Sequence, residues 1–109
     1  MESREYFVRV PVSVLMDSRL TRSSVLLYAI LIDSADNNGM TEATIDELAA
    51  ACQISPATVR RSERQLVDAG LLEIYRTGRA SLIRLTQADK MLRAVSGVAA
   101  YKAARRKEA

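Results

Sequence analysis

The sequence predicts a mostly α-helical fold with a small β-hairpin, an α+β arrangement. Three observations predict it. Helix-start and helix-stop residues recur at short intervals between Thr21 and Gly70. The apolar residues between them fall at helical spacing. After Gly70 the pattern changes to two strand-like runs around Gly78. A chain of 109 residues has room for one core, hardly two.

The elements follow in order. Tyr6-Phe7-Val8-Arg9-Val10 is β-branched and aromatic, and predicts an extra N-terminal strand that stops at Pro11. Residues 12–16 predict one helical turn with Val12, Leu15 and Met16 on a shared face. Thr21 or Ser23 caps the first clear helix. Its apolar positions run nearly all round (Val25, Leu26, Leu27, Ala29, Ile30, Leu31, Ile32), which predicts a central helix buried on most sides. Asp36-Asn37-Asn38-Gly39 stops it, and residues 40–43 read as a short extended segment.

Thr44 with Glu47 three residues on is a capping box. Ile45, Leu48, Ala49 and Cys52 then give a short helix one apolar face. Gln53-Ile54 is a tight connection, and Ser55-Pro56 starts a third helix with Ser as N-cap and Pro at its first position. Val59, Leu66 and Ala69 predict its inner stripe, and Gly70 its stop. Residues 71–76 and 81–86 predict a hairpin with a loop of about four residues, Thr77-Gly78-Arg79-Ala80. Residues 86–89 open a last helix, on which Ala88, Met91, Leu92, Val95, Val98 and Ala99 recur at helical spacing. The domain division expected is 1–86 for the folded domain and 87–109 for a C-terminal helix and basic tail, serving packing or dimerisation.

Composition excludes several chemistries. The chain has no His and one Cys. A zinc site draws its N and S ligands from those residues, so none is expected. Ser–His–Asp and Cys–His catalysis fall for the same reason. A single Cys forms no disulfide framework, which suits a reducing compartment. Neither a signal sequence nor a membrane span is legible, so a cytoplasmic protein is expected. No catalytic residues, cofactor or small-molecule effector are indicated. The formal net charge of +3 hides an asymmetry. Residues 1–55 hold four basic and eight acidic groups, whereas residues 56–109 hold twelve basic and five acidic. That division points to a polyanion-facing half.

A buried helix, a short capped helix, a tight turn, a Ser-Pro-capped helix, a Gly stop and a hairpin together make the layout of a winged helix-turn-helix. The segment TIDELAAACQISPATVRR, residues 44–61, resembles the helix-turn-helix core of bacterial winged-helix DNA-binding proteins. LVDAGLLEI, residues 66–74, resembles their exit into the wing. Phe7-Val8-Arg9-Val10-Pro11, LTRSSVLLYAIL at residues 20–31 and Asn38-Gly39-Met40 are similar to the N-terminal domains of plasmid and phage replication initiators and replisome organisers. The chain departs from the family pattern at Glu63, where an apolar residue is usual. A carboxylate there must reach solvent or pair, an arginine being the natural partner.

The resemblance implies that the third helix is a recognition helix for double-stranded DNA. Helical spacing places Thr58, Arg61 and Gln65 on an outer face, with Arg60 and Arg64 beside it. Arg61 leads for base contact, because a guanidinium can donate twice to guanine, and Arg60 and Thr58 follow. Ser55 and the Ala57 amide are candidates for phosphate at the helix start, as are Thr41 and Thr44 at the second helix. Arg76 and Arg79 flank Gly78 and are expected to reach phosphate or a minor groove. Cys52 and Tyr28 are expected in the core, and Tyr75 in the core or at an edge.

Residues 88–99 suit either packing on their own domain or a homodimer. The competing function is a winged-helix protein–protein module binding an acidic partner. A role in replication initiation and one in transcription regulation share the same DNA-reading surface.

Overall fold

A computed structural model describes residues 7–87 of the chain. The elements are α1 (Val12–Leu15), α2 (Arg22–Ser34), β1 (Met40–Ala43), α3 (Ile45–Cys52), α4 (Pro56–Asp68), β2 (Leu72–Thr77) and β3 (Ala80–Leu85). The three strands form one antiparallel sheet in the order β1-β3-β2. Four helices with such a sheet make a small α+β winged helix-turn-helix. The last helix, the basic tail and the dimer segment expected over residues 88–109 lie outside the described residues.

Local chemistry sets each helix end. Thr21 caps α2, its hydroxyl accepting from the Ser24 amide at 3.2 Å. The capping box at α3 is reciprocal. Thr44 Oγ1 accepts from the Glu47 amide at 3.0 Å, and the Thr44 amide donates to Glu47 Oε1 at 2.9 Å. Ser55 caps α4 by accepting from the Thr58 amide at 3.1 Å, with Pro56 in the first turn.

Both helices of the motif end in the same way. At α4, Gly70 has φ +76°, its N–H donates to Val67 O at 2.9 Å, and Leu71 N–H donates to Leu66 O at 2.9 Å. At α3, Gln53 takes the corresponding left-handed conformation with φ 57°, and Ile54 N–H reaches Ala49 O at 3.1 Å. These are paired-amide C-caps, in which two successive amides satisfy carbonyls of the last helical turn. Glycine is the usual residue at that position, and Gln53 occupies it at a cost of about 1 kcal/mol.

The core gathers Leu27, Tyr28 and Leu31 of α2, Leu48 and Cys52 of α3, Val59 and Leu66 of α4, and Leu72, Ile83 and Leu85 of the sheet. Burial pushes the Tyr28 hydroxyl and the Cys52 thiol upward in pKa.

Several expectations are corrected. Residues 7–10 form no strand: Phe7 is 83% exposed, and the sheet takes its third strand from β1 instead. β-propensity gives a strand only where a partner edge pairs with it. In α1 the shared face of Val12, Leu15 and Met16 points outward, and Val14 is the residue buried. Helix α2 is buried along one face, while Leu26 is exposed beside an apolar groove of about 480 Å³ that Leu15, Leu20, Val25 and Ala29 also line. The inner stripe of α4 is Val59, Ser62, Glu63 and Leu66, with Ala69 half-buried. The hairpin loop holds two residues, Gly78 and Arg79, rather than four. Only the first has positive φ, +74°, as a tight type II′ connection requires.

Candidate nucleic-acid interface

Helix α4 buries one face and opens the other. Arg60, Arg61 and Arg64 all lie on the exposed side. Arg79, in the two-residue loop of the hairpin, is exposed as well. None of these four makes an ion pair within the described residues, nor does Arg22.

Other arginines are held by carboxylates. Asp17 binds Arg19 through two side-chain contacts of 2.9 and 2.7 Å, and those bonds lower the Asp17 carboxyl to about 2. Glu73 pairs across the hairpin with Arg84 and accepts from the Tyr75 hydroxyl at 2.5 Å. The Tyr75 and Arg84 hydrogen bonds hold the Glu73 carboxyl below its usual range. Tyr75 is 49% exposed and so sits at the sheet surface, not in the core.

Arg76 departs from its expected role. Strand alternation puts Leu72, Ile74 and Arg76 on one face of β2, opposite Leu85, Ile83 and Ser81 of β3. That is the face turned to α4. Arg76 Nη2 therefore meets Glu63 Oε1 at 3.1 Å, while Nη1 donates to Ser81 Oγ at 3.2 Å. Glu63 is 2% exposed, and its second oxygen has no hydrogen-bond partner. Burial raises the Glu63 carboxyl, and Arg76 and then Arg60 oppose the rise. The arginine expected to neutralise Glu63 is present, and it is one that the hairpin pattern had assigned to phosphate.

Gln65 is the second correction. It does not face outward from α4. Its Oε1 accepts from the Thr21 amide at 3.1 Å and from the Ser24 hydroxyl, which fastens α4 to the N-terminus of α2. Thr58 is half-buried, with its hydroxyl 2.9 Å from that of Ser55, so each is engaged with the other at the helix cap. Ala57 is exposed in the first turn of α4, where amides have no intrahelical acceptor. Thr44 is committed to the capping box, and Thr41 pairs in register with Ile83 inside the sheet.

The structure therefore brings Ala57, Arg60, Arg61 and Arg64 together on one helix, with Arg79 at the hairpin tip. It turns Gln65 inward and pairs Arg76, which stays exposed, with Glu63. A register count from Gly78 would have revealed the direction of Arg76. The link from Gln65 to Thr21 spans 44 residues and has no local signal.

The described residues contain no group of three or more His, Cys, Asp or Glu placed to hold a metal ion, and no helix among them is long and apolar enough to cross a membrane. Residues 18–72 match the helix-turn-helix domain family. The match runs from before α2 to the first residue of β2, so it holds both helices of the motif and stops short of the hairpin. Comparisons with curated proteins and with solved structures find no match.

Proposed function

The chain belongs to the helix-turn-helix domain family, and from that premise we propose that it is a sequence-specific double-stranded DNA-binding module. Helix α4 reads base edges in the major groove, and the β2–β3 hairpin grips the adjacent backbone. The observation that carries this reading is the sorting of the arginines. Those on the open face of α4 and at the hairpin tip are exposed and make no ion pair among the described residues, whereas Arg19, Arg76 and Arg84 are bound to carboxylates. Arg61 is the foremost base contact, Arg60 and Arg64 flank it, and Arg79 contacts phosphate. Catalysis has no part in the proposal.

The setting we propose is replication initiation or transcription control on a plasmid, phage or other mobile element, in the cytoplasm. The similarity of residues 7–11, 20–31 and 38–40 to replication initiators supports it. A homodimer is part of the same reading. The apolar groove beside Leu26 and the helical spacing of apolar residues in 88–99 support it.

Selection of bound duplexes from a random pool tests the function. An enriched consensus is expected, palindromic for a dimer or tandem for an origin-type array. Absence of enrichment overturns specific recognition.

A further inference from the structure

Between α4 and β2 lies an open groove of about 520 Å³, lined by Arg60, Glu63, Arg64, Val67, Ile74 and Arg76. Its walls carry three guanidinium groups and one carboxylate. That carboxylate, Glu63, is 2% exposed, bound through one oxygen to Arg76, and without a partner at the other. A buried carboxylate oxygen that accepts no hydrogen bond is costly, and protonation removes its charge and makes it a donor to any anion beside it. The charged groups acting on it are Arg76 from β2 and Arg60 from its own helix, and Arg64 lines the groove beside them. Strand β3 contributes only the Ser81 hydroxyl, behind Arg76.

Arg76 is 57% exposed, so its guanidinium is shared between Glu63 and the open groove. An anion entering would meet Arg60, Arg64 and Arg76, each able to donate two hydrogen bonds to a pair of oxygens. Val67 and Ile74 supply an apolar wall suited to a sugar. We propose that this groove seats a phosphodiester group of duplex DNA, and that Glu63 takes up a proton as the phosphate enters. The inference rests on the DNA-binding reading above.

The physical reason is the order of charges. A phosphate in the groove places an anion beside an already desolvated carboxylate and competes with it for Arg76. Both effects raise the affinity of Glu63 for a proton. Binding then consumes a proton, so duplex affinity rises as pH falls, by up to about tenfold per pH unit between the free and bound pKa of Glu63. The chain contains no His, so no histidine obscures the effect between about pH 5 and 7.

The test measures affinity for a short mixed-sequence duplex at low salt across that pH range, for the wild type and for Glu63→Gln. The wild type is expected to tighten as pH falls. Glu63→Gln is expected to bind at every pH about as tightly as the wild type at its acidic limit. Calorimetry of the wild-type complex in two buffers of different ionisation enthalpy needs no variant, and net uptake of up to one proton per chain is expected. A wild type that binds duplex with no pH dependence and no proton uptake overturns the inference and leaves the DNA-binding reading standing. Glu63→Gln that keeps the wild-type slope also overturns it, by placing the proton elsewhere. Absence of duplex binding at any pH overturns both. Equal proton uptake with dimethyl phosphate alone, a diester that does not itself titrate in this range, assigns the groove to a free phosphate ester and overturns the duplex assignment.

Discussion

The carboxamide oxygen of Gln65 accepts a hydrogen bond of 3.1 Å from the backbone amide of Thr21, 44 residues earlier in the chain. Thr21 is the N-cap of α2, so this bond ties the helix that bears the open arginine face to the N-terminus of α2. Gln65→Ala removes the acceptor and leaves a capping amide and the Ser24 hydroxyl short of a partner. A loss of about 1–2 kcal/mol in denaturant unfolding is expected. DNA affinity of the folded variant should stay near that of the wild type. Unchanged stability with weakened DNA binding would return Gln65 to the interface.

Glu63 has an opposite sign. Its carboxyl is raised in the folded state by burial, so between its unfolded and folded pKa the folded chain binds more protons. Its contribution to stability is therefore fully present below the unfolded value and is lost as pH rises through the folded one. Glu63→Met replaces the buried charge with an apolar side chain of similar length. Arg76, 57% exposed, stays solvated without its partner, so at neutral pH the variant should be more stable by about 1–2 kcal/mol. The gain should shrink as the wild-type carboxyl becomes protonated in acid. Thermal melts of both proteins across pH check this, and a destabilised variant at neutral pH would mean that the pair with Arg76 outweighs its desolvation.

Gln53 holds a left-handed backbone with φ 57° at the turn between α3 and α4. Gln53→Gly relieves the Cβ clash but adds freedom to the unfolded chain. The balance favours the variant by about 0.5–1 kcal/mol, readable as a shift in the denaturant midpoint.

Arg61 and Arg79 should fail in different ways. Arg61→Ala should cost about 1–3 kcal/mol on the selected site and relax preference at one base position. Arg79→Ala should weaken all sequences alike and reduce the slope of log affinity against log salt by about 1. Titrations at several salt concentrations separate the two, and identical behaviour of the variants would refute the division of roles.

The order of elements from α1 to β3, and the caps of the three longer helices, were legible in the sequence. Thr21, Thr44-Glu47, Ser55-Pro56 and Gly70 are local signals, because a cap is settled by bonds within three or four residues. Also legible there were the placement of Arg60, Arg61 and Arg64 on one helix and the need for Glu63 either to reach solvent or to pair. Tertiary structure decided which side chains were available. Residues 7–10 have strand-like composition but pair with neither outer strand of the sheet, and β1 became the third strand through its register with β3. Gln65 was drawn to a cap on another helix, and Arg76 was drawn beneath the sheet to Glu63. Those outcomes depend on which surfaces meet. Helical or strand periodicity gives a side chain its direction, but only packing gives it a partner.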